Sequence, residues 1–191
     1  MAGCGSLLLL VMAARLGVVV GLALVLVMQA SGSPGGGSKA AKRLAAAHEL
    51  YEAARFPEAA TKYSKLLGPA PSLKLQASLE KAGLGPLQLT PYRREFARAL
   101  VVVGDYAAAA EQLQQMRRAM SYLPSPALAG RFESDVLREE AQVHQCTGKL
   151  QNAAKALSKS IKLLQQASNG PSAPRPADFF ERYQRLATLQ K

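Results

Sequence analysis

One spacing recurs three times in this chain and constrains its fold more than any other feature. In segment 48–63, HELYEAARFPEAATKY, the small residue Ala54 is followed by bulky Phe56, then Ala59, then bulky Tyr63. Segment 97–113 repeats the order with Gly104, Tyr106, Ala109 and Leu113, and segment 141–157 with Gly148, Leu150, Ala153 and Leu157. Seven residues before each small residue stands a further alanine: Ala47, Ala97 and Ala141. Each position has a physical use. A small residue lets the chain reverse between two helices, and glycine does so at least steric cost. The bulky residue after it is expected to plug the gap at the turn. The alanines let two helix backbones approach closely. The second bulky residue, seven after the first, falls on the same helical face.

The expected fold is therefore all-α. Valine and isoleucine are sparse outside the N-terminal run, which argues against a sheet. Tryptophan is absent and alanine supplies much of the apolar content, a composition that suits a stack of thin helices better than one thick core.

The layout resembles the tetratricopeptide repeat, a helix hairpin that stacks into an α-solenoid. The second copy, Gly104-Asp105-Tyr106 with Ala109, is the most faithful. The third departs: Leu150 replaces the aromatic, and His144-Gln145 stand where the others have Leu50-Tyr51 and Leu100-Val101. The turn residues lie 50 and then 44 residues apart, against a family period of about 34. The excess sits between units, where 68–91 holds Pro69, Pro71, Pro86 and Pro91 around a short extra helix. We expect a short array of about three hairpins over 40–169, a linker at 170–177 and a capping helix over 178–191. On that last helix Phe179, Tyr183, Leu186 and Leu189 share a face.

The leader is a separate matter. Residues 7–12 and 16–28 are apolar around Arg15, and Ala30, Ser31, Gly32 and Ser33 follow. This pattern fits a secretory signal peptide over 1–32, cut after Gly32 or Ala30, and then a flexible linker over 33–39. The rival is a signal anchor in which 7–29 crosses a membrane despite Arg15. Lys39, Lys42 and Arg43 would then hold the following domain in the cytosol. A mitochondrial presequence is a third possibility.

The formal net charge is +11, which favours an anionic partner such as an acidic peptide, a lipid headgroup or RNA. No ordered nucleic-acid motif accompanies it. Lys155, Lys159 and Lys162 recur on one helical face with Lys149 at its start, and no acid occurs between Ala141 and Ala177. This stripe reads either as an ordinary solvated helix face or as a surface for an anionic partner, such as an acidic protein or peptide. Arg93, Arg94 and Arg98 form a smaller cluster, and Arg117-Arg118 a third.

Chemistry is not expected. The histidines are His48 and His144 alone, and His144-x-Cys146 is the sole metal-like spacing. Two ligands on one helix make no site, so neither a metal nor a cofactor is expected. No phosphate-binding loop, nucleophile elbow or zinc-protease helix occurs. Cys146 is expected to be a buried, inert thiol.

The resemblance implies that the first helix of each pair lines a concave peptide-binding face. Many relatives clamp a terminal carboxylate there with lysine, arginine and asparagine. At the matching stations this chain has Ala41, Leu44 and His48, then Glu95, then Asp135 and Glu139. Carboxylates would repel such a ligand, so the clamp is not carried over. A leader followed by such repeats also resembles the luminal tetratricopeptide co-chaperones of the endoplasmic reticulum, here without a J domain. A second resemblance is to membrane-anchored tetratricopeptide receptors facing the cytosol. The expected function is a non-catalytic protein-binding scaffold of the secretory pathway, or else an anchored receptor or adaptor subunit.

Overall fold

The structure, a computed structural model, describes residues 39–68, 73–167 and 176–189. The expectations for the leader and the linker through residue 38 lie outside these residues. Among the described residues every regular element is helical, and no helix is long and apolar enough to cross a membrane.

The helices are α1 (Lys39–Glu52), α2 (Phe56–Leu67), α3 (Leu73–Lys81), α4 (Thr90–Val103), α5 (Tyr106–Ala119), α6 (Pro126–Cys146), α7 (Leu150–Ala167) and α8 (Pro176–Leu189). A 3-10 turn, Met120–Tyr122, follows α5. Three hairpins result: α1 with α2, α4 with α5, and α6 with α7. Successive hairpins meet through α2 on α4 and α5 on α6, and the first helices also touch in sequence, α1 to α4 to α6. The short α3 packs on α1, and α8 on α7.

The three hairpin turns are built alike. Ala54 N–H donates to the Tyr51 carbonyl and Arg55 N–H to the Leu50 carbonyl, both at 2.9 Å. Gly104 and Asp105 donate in the same way to Val101 and Leu100, and Gly148 and Lys149 to Gln145 and His144. This pair of bonds satisfies carbonyls that the helix end would leave open, and it requires a left-handed residue at the turn. The φ values are 58° at Ala54, 87° at Gly104 and 73° at Gly148. Two neighbouring helix starts are then capped: Asp105 accepts from the Ala108 N–H at 3.1 Å, and Ser125 from the Leu128 N–H at 3.3 Å. Gly83 ends α3 by the same device, with Leu84 N–H on the Leu79 carbonyl.

The repeated alanines are core positions. Ala47, Ala59, Ala97, Ala109, Ala141 and Ala153 are all at most 2% exposed, as are Tyr63, Leu113 and Leu157. The first bulky residue behaves differently in the three turns. Phe56 meets Tyr51 edge to face at 5.5 Å, and Tyr106 is half-buried against the core. Leu150 is 51% exposed, so the expected plug is missing from the third turn. The residue in the place of Tyr51 is Gln145, a polar side chain whose oxygen accepts from Arg185.

Two further expectations are revised. Helix α8 begins at Pro176, inside the expected linker, because proline is well placed in a first helical turn. Its expected apolar face is split: Leu186 and Leu189 pack on α6 and α7, while Tyr183 is 46% exposed.

Ala54 holds a left-handed conformation that costs a non-glycine residue about 1 kcal/mol or more. We predict that Ala54→Gly raises stability by about 0.5–1 kcal/mol and Gly104→Ala lowers it by about 1 kcal/mol. Urea denaturation followed by circular dichroism measures both, and an unchanged midpoint for Gly104→Ala would contradict the role of the turn.

Candidate functional site

A chain of charged contacts runs along the first helices of the hairpins. On α1, His48 Nδ1 lies 3.0 Å from Glu95 of α4, and the same carboxylate accepts from the Tyr63 hydroxyl on α2. From α4, Arg94 donates to Asp135 of α6 at 3.3 Å, and Arg98 grips both oxygens of Glu139. From α6, Arg138 donates to Glu139 at 3.0 Å and to Glu181 of α8 at 3.4 Å. Helix α8 returns Arg182 to Asp135 at 2.8 Å, and Arg185 to the side-chain oxygens of Gln142 and Gln145, each at 2.6 Å.

These contacts overturn the expectation for Glu95, Asp135 and Glu139. They do not stand as bare carboxylates repelling a ligand. Each is engaged by a residue of the neighbouring hairpin or of α8. The expected basic clusters are largely drawn into internal contacts, although Arg118 stays exposed. Besides Arg94 and Arg98, Arg93 donates to Gln112 at 2.7 Å and to the Leu67 carbonyl. Arg117 forks onto Glu140 and also reaches Glu133. Adjacent Glu139 and Glu140 thus face different partners, as the helical geometry requires.

The electrostatics follow from the pairing. Burial pushes the Glu139 carboxyl up, but Arg98 and Arg138 outweigh it and hold the group well below the usual carboxylate range. Asp135 is likewise held down by Arg94, Arg138 and Arg182 against its burial. The hydrogen bond from Arg117 lowers Glu140. Burial, with Glu95 as acceptor, pushes the Tyr63 hydroxyl far above its ordinary range.

Inside the third hairpin a polar lock is added to the apolar contact of Leu137, Ala141, Ala153, Ala156 and Leu157. Ser134 Oγ donates to the Ser160 carbonyl at 2.8 Å, and Ser160 Oγ to the Ser134 carbonyl at 2.7 Å. Arg182 Nε reaches Ser160 Oγ at 2.8 Å, and that arginine is 1% exposed. Sequence reasoning missed Arg182, Arg185, Ser134 and Ser160. The sole hint was two serines at core-facing steps of otherwise apolar helices.

The lysines are placed differently from the arginines. Lys155, Lys159 and Lys162 lie exposed along α7, opposite its buried Ala156, Leu157, Ile161 and Leu164. Lys159 approaches Glu133 at 3.7 Å. Lys155 and Lys162 have no ion-pair partner among the described residues. Lys149 precedes the helix and belongs to the turn with Gly148 and Leu150 rather than to the stripe.

Cys146 is half-buried, not buried as expected, and Gln142 donates to its sulfur at 3.5 Å. The described residues contain no group of three His, Cys, Asp or Glu side chains able to hold a metal. Compared with protein-family models, with curated proteins and with solved structures, the chain matches none.

The ladder sets the response to substitution and to pH. Glu139 is 7% exposed, and Glu139→Gln would strand Arg98 and Arg138, so we predict a loss of about 3 kcal/mol. Glu58→Gln, in the exposed pair with Arg55, should change stability by less than about 0.5 kcal/mol. Equal losses for the two variants would contradict this ranking. Unfolded carboxyls titrate near pH 4. The folded values of Asp135, Glu139 and Glu140 lie lower, so their contribution is complete above that range. It is lost as the pH falls through the folded values below it. Melting temperature should therefore drop on acidification below about pH 4, and less steeply in Glu139→Gln.

Proposed function

We propose that this chain is a non-catalytic protein-binding scaffold, built from tetratricopeptide-like hairpins that continue one another as an α-solenoid. The observation that supports this reading is the thrice-repeated turn, with the same pair of hydrogen bonds and the same buried alanines, joined to pairwise contact between consecutive hairpins. Such an arrangement offers extended surface rather than an enclosed reaction chamber.

The α7 stripe is our first choice of binding surface. Arg94, Arg98, Arg117, Arg138 and Arg182 are spent on pairs with carboxylates, whereas Lys155 and Lys162 project without ion-pair partners among the described residues, ready for a charged ligand. Lysine suits an adaptable acidic surface, because its compact ammonium sits on a flexible stem. The partner is an acidic protein or peptide. The inner face is a poorer choice, since its charges already hold the helices together.

In the first reading the leader is cleaved and the scaffold acts in the secretory pathway, in the lumen of the endoplasmic reticulum or outside the cell. In the second it stays as a single-pass anchor and the scaffold is a cytosol-facing receptor or adaptor subunit. One structural observation favours the second. Lys39 and Arg43, the positive flank of the apolar run, share a hollow with Lys74 of α3.

Triple charge reversal, Lys155→Glu with Lys159→Glu and Lys162→Glu, tests the binding surface. We expect partners captured with the full chain from its own cells to be lost while the melting temperature holds. Retention of the same partners by the reversed variant would remove the stripe from the binding surface. Sequencing the mature N-terminus separates the two locations: an intact Met1 or Ala2 argues for the anchor.

A further inference from the structure

A second group of free cations lies at the opposite end of the described chain. The first two turns of α1 carry Lys39, Lys42 and Arg43, all exposed. Helix α3 packs on α1 and brings Lys74 beside them. Lys39, Arg43 and Lys74 line one shallow hollow between the two helices, with Ser78, Ala40 and Leu75. None of these cations has an ion-pair partner among the described residues.

The surrounding sequence supplies no countercharge. Glu49 is the first acidic residue of the chain, and none occurs between Ala59 and Leu79. Residues 30–48 and 59–79, which include every residue lining the hollow, are thus free of carboxylates. Arg94 and Arg98 of α4 and Arg138 of α6, by contrast, each meet a carboxylate. Basic residues in a first helical turn also oppose the helix dipole, so Lys39 and Lys42 bring α1 no local benefit.

We infer that the Lys39, Lys42, Arg43 and Lys74 surface docks on the phosphate headgroups of an anionic bilayer. Only nine residues separate Gln29, the end of the apolar run, from Lys39, and such a connection spans at most about 35 Å. A leader kept in the membrane would therefore limit the distance of these cations from the bilayer, and headgroup attraction acts once they come within about one Debye length. Several cations on two helices adsorb to a charged plane without requiring a deep pocket, which suits the shallow form of the hollow. In this respect the inference rests on the anchored reading of the leader.

Lysine-reactive footprinting of the full chain, reconstituted in vesicles, tests it. The vesicles are phosphatidylcholine alone or phosphatidylcholine with phosphatidylserine, and labelling is read by mass spectrometry. We expect labelling of Lys39, Lys42 and Lys74 to fall several-fold in the anionic vesicles only, to recover at high salt, and to be unchanged at Lys155 and Lys162. Variant Lys39→Glu/Arg43→Glu/Lys74→Glu should lose the protection at Lys42, with adsorption weakened roughly a hundredfold. Because all three side chains are exposed, a melting curve matching the parent shows that the fold survives. Lys39→Arg/Lys74→Arg should keep the protection. Equal labelling in both vesicle types overturns the proposal, as does protection centred on Lys155 and Lys162. Equal protection by inorganic phosphate without vesicles also overturns it, in favour of a free phosphate site. The N-terminus of the cellular protein is sequenced separately. A cleaved leader sinks the anchored reading, while the footprint still decides headgroup docking.

Discussion

Arginine-to-carboxylate pairing between hairpins is the interaction on which this arrangement turns. Arg98 on Glu139, Arg94 and Arg182 on Asp135, and Arg117 on Glu133 and Glu140 each join separate helices. The apolar contacts cannot specify register by themselves. Most of the repeated core positions are alanine, which buries little area and tolerates sliding of one helix past another. A bidentate arginine fork tolerates much less, because its two donors must meet two oxygens in one plane. Net stabilisation by such pairs is modest, since both ions lose water on burial. The larger effect is on alternatives: a helix shifted by one turn would leave several charges half-buried and unpaired.

This division of labour shapes much of the charge pattern. Arg94, Arg98, Arg117, Arg138 and Arg182 each meet carboxylates between helices, whereas Arg43, Arg55 and Arg118 are exposed. Lysine meets solvent in the first turns of α1, at the start of α3 and on the outer face of α7. Much of the exposed positive charge is carried by these lysines together with Arg43 and Arg118. An anionic partner would act on them without disturbing the contacts that hold the helices.

The third hairpin and α8 show how the same backbone plan tolerates different chemistry. The first two hairpins share one apolar core, in which Tyr63 packs on Phe96 at 5.8 Å. The third adds serine-to-carbonyl bonds and Arg182 to an apolar cluster of its own, so α8 is held by polar groups as well as by Leu186 and Leu189. Tyr183 and Phe180 consequently remain exposed on its far side.

The helical state, the three turns and the closely packed alanine positions were legible in the sequence. These are local properties, set by backbone geometry at Gly104 and Gly148 and by the period of the apolar face. Exposure of the α7 lysines was legible for the same reason. Charge pairing across hairpins was not. Arg94 and Asp135 are 41 residues apart, as are Arg98 and Glu139, so no local rule links them. Read alone, Glu95, Asp135 and Glu139 looked like a repulsive groove, and Arg93, Arg94 and Arg98 like a free basic patch. Only the stacking of one hairpin on the next pairs Arg94 with Asp135 and Arg98 with Glu139, while Arg93 turns to Gln112 and the Leu67 carbonyl. The packing of α3 on α1 sets Lys39, Arg43 and Lys74 together with no ion-pair partner among the described residues. A sequence therefore determines where helices reverse and which face is apolar, whereas the partner of each charge is decided by which helices become neighbours.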